Sequence, residues 1–156
     1  MNRDRPAENP GRPRLLFVCV ENSCRSQMAE GFARMLAGGG VAASSGGSRP
    51  SGVVNPLAIE SMAEVGYDLG VHRSEGLDDV PPGPFDAVVT MGCGDACPHV
   101  PARRREDWEV KDPKDLPPEE FRKVRDDIRR RVAALLAELG VVPGAPAAGP
   151  GGLPGT

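Results

Sequence analysis

The sequence predicts an α/β fold, a mainly parallel sheet covered by helices on both faces, and three observations carry that expectation. Leu15-Leu16-Phe17-Val18 and Phe85-Asp86-Ala87-Val88-Val89-Thr90-Met91 are short apolar runs of the kind found in strands buried on both sides. Other segments carry apolar residues every three or four positions, the spacing of one helix face. The two patterns alternate along the chain, and alternation implies parallel strands joined by crossover helices.

In order, residues 1 to 13 are rich in arginine, proline and asparagine and hold no apolar segment. They predict a disordered lead-in rather than a signal peptide or an anchor. The first strand ends on Cys19; polar and small residues follow, and then Met28, Phe32, Met35 and Leu36 mark a helix that Gly38-Gly39-Gly40 terminates. Val41 to Ser45 predicts a short second strand. Asn55 as N-cap and Pro56 in the first helical position open a second helix, with Ile59, Met62 and Val65 inward and Gly66 at its end. Phe85 to Met91 is the third strand, and a short fourth is expected near Trp108-Glu109-Val110. Pro117-Pro118 starts a long last helix bearing Phe121, Val124, Ile128, Val132, Leu135 and Leu139. Residues 140–156 are mostly proline, glycine and alanine and predict a disordered tail. The expected folded part is a single domain over residues 14–139, without internal repeats.

At 156 residues and a net charge of −3, the chain is sized for one domain and is not charged like a general nucleic-acid binder. No run approaches the length of a membrane span. Four cysteines outside any disulfide-scaffold pattern suggest reactive thiols in a reducing cytoplasm. No resident metal or cofactor is called for, and a monomer is expected.

The chemistry concentrates where the first strand gives way to the first helix. A loop at the carboxyl end of a parallel strand is where open α/β sheets place ligands. A helix N-terminus beyond it offers free N–H groups to an anion. Cys19 stands at the lip of that cradle as a nucleophile, and Arg25 can close it with a planar fork suited to a tetrahedral oxyanion. The bland alternative is a buried strand-end cysteine and a surface arginine. The context, with Asn22, Ser23 and Ser26 as turn-formers and donors, favours the site.

At these residues the chain resembles the low-molecular-weight protein tyrosine phosphatase superfamily, whose loop reads Cys-x5-Arg-Ser. The run Asn22-Ser23-Cys24-Arg25-Ser26-Gln27-Met28-Ala29-Glu30-Gly31 is similar to that of its thiol-dependent arsenate reductases. The resemblance implies a four-stranded sheet in the order 2-1-3-4. It also implies an oxyanion held by Val20, Glu21, Asn22, Ser23, Cys24, Arg25 and Ser26, with Ser26 on the thiolate and Asn22 ordering the loop. Glu21 departs from the family's usual glycine; since an inward carboxylate would repel an oxyanion, it is expected to face solvent.

Asp112-Pro113 lies in a loop beyond the third strand and matches the pair that supplies the family's general acid. Taken alone it reads equally well as a turn; with the Cys19 loop upstream, the acid is favoured. Cys93 and Cys97 lie four apart in a glycine-containing loop. A phosphatase needs neither, whereas a reductase needs thiols to supply electrons. Thioredoxin-coupled arsenate reductases have such a pair here, more widely spaced. The resemblance therefore implies arsenate as substrate, a relay through Cys19, Cys93 and Cys97, and thioredoxin or an equivalent thiol reductant as partner. It also implies that Cys24 stays outside the relay.

The competing readings are weaker. Four cysteines could bind zinc, but Cys19-x4-Cys24 does not fit the usual ligand spacing, and zinc would fill the anion cradle. A phosphatase acting on tyrosine phosphate, the runner-up, would need aromatic walls, and aromatics make up 4% of the chain. A non-catalytic oxyanion sensor would not require paired thiols. Arg103-Arg104-Arg105 and Arg129-Arg130-Arg131 are diluted by acidic neighbours and read as solvated faces. His72 and His99 read as isolated loop histidines, and Trp108 as packing. Finally, some relatives bind potassium through a cluster resembling Asn22, Glu30, Ser44 and the segment around His72-Arg73-Ser74-Glu75. Those relatives have a small oxygen-bearing residue where Arg73 stands, and weak or no dependence on potassium is expected here, either with the Arg73 guanidinium near Glu30 in place of the ion or with Arg73 in solvent and no ion bound.

Overall fold

A computed structural model of the chain describes residues 12–92 and 100–141. Strands β1 (Arg14–Cys19), β2 (Ala42–Gly47), β3 (Phe85–Met91) and β4 (Ala102–Trp108) form one sheet in the order β2-β1-β3-β4. Every neighbouring pair is parallel. Helices α1 (Arg25–Ala37), α2 (Pro56–Glu64) and α3 (Pro118–Glu138) complete the regular structure, with 3-10 turns at Leu69–Val71 and Leu77–Asp79. The expected topology is therefore the observed one.

Alternation along β1 explains the layering. Leu15, Phe17 and Cys19 join Ala87, Val89 and Met91 of β3 in a core that takes Met28 and Phe32 from α1, Ala58 and Met62 from α2, and Phe121, Ile128, Val132 and Leu136 from α3. Leu16 and Val18 point the other way, with Phe85 and Val88, and are roofed by Leu77 and Val80 at the second 3-10 turn. Phe17, Met28, Phe32 and Phe121 are essentially sealed from water. Each contributes about 1.5–3 kcal/mol through burial. Trp108 packs its indole against Phe17, ring centroids 6.1 Å apart, so its role is packing.

The ends of α2 follow the sequence closely: Asn55 Oδ1 accepts from Leu57 N at 2.8 Å with Pro56 in the first turn. Its buried face centres on Ala58, Ser61 and Met62, with Ile59 and Val65 at the margin. Two elements differ from expectation. β2 runs on to Gly47, because Gly46 and Gly47 pair with Val18 and Cys19. β4 lies earlier than the expected Trp108–Val110 segment and includes Arg103, Arg104 and Arg105. It is an edge strand in which Arg103, Arg105 and Asp107 reach solvent, while Arg104 pairs with Glu106 and with Glu138 of α3. On α3, Arg130 and Arg131 are neutralised locally by Asp127.

Among the described residues no helix is long and apolar enough to cross a membrane. The expected lead-in and tail lie outside the described residues apart from their inner ends. There, Pro13 accepts from Ala42 N and Val141 N donates to Leu136. Cys93, Cys97 and His99 lie outside the described residues as well.

Candidate active site

The site forms at the carboxyl edge of the sheet. Cys19 is the last residue of β1, the chain turns through residues 20–24, and α1 begins at Arg25. The turn can be this tight because Asn22 adopts φ +51°, a left-handed conformation that asparagine tolerates better than most residues. Gly47 lets the end of β2 press against it, since a β-carbon there would lie 3.1 Å from Asn22 N. Val20 and Glu21 carbonyls accept from Arg49 N and Ser51 N, and Ser23 O accepts from Asn55 N, so the loop is pinned by the segment after β2.

Asn22 is fully buried and all its side-chain capacity is used. Its amide nitrogen donates to Ser26 Oγ (2.8 Å) and Ser45 Oγ (3.0 Å). Its oxygen accepts from Glu75 N and Gln27 Nε2, both at 2.8 Å. Because Ser26 Oγ receives Asn22's proton, its own proton is free to point at Cys19 Sγ, 2.9 Å away. Likewise the Ser45 hydroxyl, which accepts from Asn22, donates to Glu30 Oε1 at 2.6 Å. The roles expected of Ser26 and Asn22 thus have matching geometry.

Arg25, although in the first turn of a helix, is nine-tenths buried. Nη1 donates to Val110 O (3.1 Å) and Nη2 lies 3.6 Å from Asp112 Oδ2. Gly92, at φ +72°, packs so closely on the guanidinium that a β-carbon there would overlap Nη1. Asp112 follows β4, half exposed, and Oδ1 accepts from Lys114 N. Glu21 turns outward as expected, but to an ion pair: Lys114 Nζ sits 3.2 Å from Oε2. Cys19, Val20, Glu21, Ser23, Cys24, Arg25 and Asp112 line a cavity of about 120 Å³, with no aromatic side chain on its wall among the described residues. A thiol, a guanidinium and a carboxyl group therefore converge on a space suited to a small tetrahedral anion. Burial pushes the Cys24 thiol up to about 11, so it remains protonated and a poor nucleophile.

Two sequence expectations require correction. His72 is not a solvated loop histidine: its side chain is 5% exposed and bonded at both ring nitrogens. Gln27 Nε2 faces only acceptors, Asn22 O, Asn22 Oδ1 and Arg73 O, which fixes Oε1 toward His72. His72 therefore donates from Nδ1 to Gln27 Oε1 (2.9 Å) and accepts at Nε2 from Tyr67 Oη (2.7 Å). Burial lowers its pKa below the ordinary 6.5, consistent with a neutral ring. The second correction concerns Glu30. Its cation is Arg34, one helical turn on at 2.7 Å, whereas Arg73 is exposed. The two Glu30 oxygens are thus engaged by the Arg34 guanidinium and the Ser45 hydroxyl, and a cation there would compete with both.

Comparison with known proteins agrees with this geometry. Residues 14–141 match the family model for low molecular weight phosphotyrosine protein phosphatase. A "Glutaredoxin arsenate reductase" of Synechocystis is 40% identical over 129 residues, covering 81% of this chain and 98% of its own. An "Arsenate reductase 2" of Staphylococcus haemolyticus is 43% identical over 125 residues, covering 78% and 94%. A solved structure described as an arsenate reductase in the phosphate binding state superposes with a TM-score of 0.73 at 38% identity, covering 81% of this chain and 98% of that one. A thioredoxin-dependent arsenate reductase of Corynebacterium glutamicum gives 0.69 at 30% identity, over 83% of this chain and 62% of that longer one. The chain belongs to the low molecular weight phosphotyrosine protein phosphatase family, in which its relatives include named arsenate reductases.

Proposed function

We propose that this chain reduces arsenate to arsenite, with Cys19 as nucleophile and a protein dithiol as the ultimate reductant. The observation that carries the reading is the cavity above Cys19. At about 120 Å³, and with no aromatic side chain among the described residues that line it, it suits a free oxyanion better than an aryl phosphate. The names of the relatives support the same substrate.

Each step follows from the groups present. Loop amides and Arg25 hold arsenate, and Cys19 Sγ attacks arsenic while Ser26 donates to the sulfur. Asp112 protonates the departing oxygen, which leaves as water and gives a Cys19–arsenate thioester. The thiolate of Cys93 then attacks Cys19 sulfur. The sulfur–arsenic pair passes to arsenic, arsenite leaves, and a Cys19–Cys93 disulfide remains. Cys97 attacks Cys93, freeing Cys19 and forming Cys93–Cys97, which a dithiol of the thioredoxin type reduces. The roles of Cys93 and Cys97 rest on the family resemblance. Gly92, next in the chain to Cys93, lies against Arg25.

A coupled assay tests this: arsenate-dependent NADPH oxidation through thioredoxin reductase and thioredoxin, run beside glutaredoxin and mycothiol systems. Turnover lost in Cys19→Ser and slowed in its first step by Asp112→Asn supports the reading. Hydrolysis of aryl phosphates without arsenate reduction in any system would replace it with the phosphatase.

A further inference from the structure

Glu21 poses an electrostatic problem that the fold answers with one residue. Glu21 is among the residues that line a cavity otherwise built to attract an anion, so even its outward-turned carboxylate is a negative charge close to where the anion would sit. Its backbone cannot retreat, because Glu21 O accepts from both Ser51 N and Ser74 Oγ. Lys114 pairs with that carboxylate, Nζ 3.2 and 3.4 Å from its two oxygens. The same residue's backbone N–H donates to Asp112 Oδ1 at 3.1 Å. Among the described residues, Glu21 has no other ion-pair partner.

We propose that Lys114 is a positioning residue of the oxyanion site, acting through Glu21: it neutralises that carboxylate so that the Cys19 loop keeps an attractive field for a multiply charged oxyanion. This deepens the arsenate-reductase reading and rests on it for the identity of the substrate. A mechanical clasp is the less fitting role, for two reasons. An ion pair with both partners nearly half exposed holds little by itself. The bond from Lys114 N to Asp112 is local to its turn and survives without the ammonium. Charge, by contrast, acts on the anion whether or not the pair is rigid, and salt weakens it.

The two roles predict opposite signs at Glu21, which makes them separable. The probe is inorganic phosphate, and the readout is the concentration that halves the alkylation rate of Cys19 by iodoacetamide in the full chain. Lys114→Met should weaken phosphate protection about five-fold, by leaving Glu21 bare. Glu21→Gln should tighten it severalfold, and the double variant should return to near the wild-type value. The spread among the variants should shrink in molar salt. Weakening in both single variants would overturn the proposal in favour of a clasp. No change in Lys114→Met would overturn it outright, as would a wild type that phosphate does not protect, since no anion field would then exist to preserve. Protection by phosphate requires no redox step. The predicted order without arsenate reduction would therefore sink the reductase reading alone, and arsenate reduction without that order would sink this proposal alone.

Discussion

Gly92→Ala should disable oxyanion binding without removing any group that touches the anion. Residue 92 sits at φ +72°, where an alanine costs about 1–2 kcal/mol of backbone strain. That strain should lower Tm by roughly 2–8 °C for a chain of this size. The larger effect is on Arg25. The added β-carbon overlaps Nη1, and the guanidinium must give way by roughly 1 Å to restore ordinary contact. That movement breaks the bond to Val110 O and turns the fork away from the cavity. Misplacement on this scale costs about 10²-fold, or about 2.7 kcal/mol of transition-state stabilisation. Single-turnover arsenate reduction and phosphate protection of Cys19, both measured well below Tm, are the assays. Because Gly92 acts through Arg25, Gly92→Ala should add little in an Arg25→Ala background. A lower Tm with normal phosphate protection and turnover would refute the argument, as would full additivity in the double variant.

Asn22→Ala should destabilise the fold by about 3 kcal/mol or more, because it strands the donors of Glu75 and Gln27 and places alanine at φ +51°; denaturant titration measures it. His72 takes its proton at the ordinary 6.5 when unfolded but only at lower pH when folded, so the unfolded state binds more protons as pH falls. Stability should therefore decline as pH drops below about 6.5, and His72→Gln should flatten that slope in unfolding experiments run at pH 7 and 5. Potassium in place of sodium should leave Tm and turnover unchanged in wild type, while Arg34→Ala, which bares Glu30, should gain a potassium response. A potassium response already present in wild type would contradict that assignment.

The features that were legible in the sequence are those encoded locally. β1 and β3 announce themselves as apolar runs, and Asn55-Pro56 carries its own capping chemistry. The Cys19-to-Arg25 loop is contiguous, so its composition and its place between strand and helix could be read together. β4 escaped because five consecutive charged residues give no apolar alternation; pairing with β3 along an edge makes it a strand. His72 was misread because Gln27, which fixes its tautomer, is 45 positions away. Lys114 stands two residues from Asp112, yet its role depends on Glu21, 93 positions distant. Gly92 could be seen as a glycine after a strand, but only the fold brings it onto Arg25.

The central claim is that Cys19 delivers electrons from the chain's own thiols to arsenate. Its most direct test is a single turnover of fully reduced protein with arsenate and no external reductant, followed by arsenite quantification and peptide mapping. Wild type should yield about one arsenite per chain with Cys93 joined to Cys97, and Cys97→Ser about one arsenite with Cys19 joined to Cys93. No arsenite, with all four thiols still free and arsenate merely bound, would contradict it.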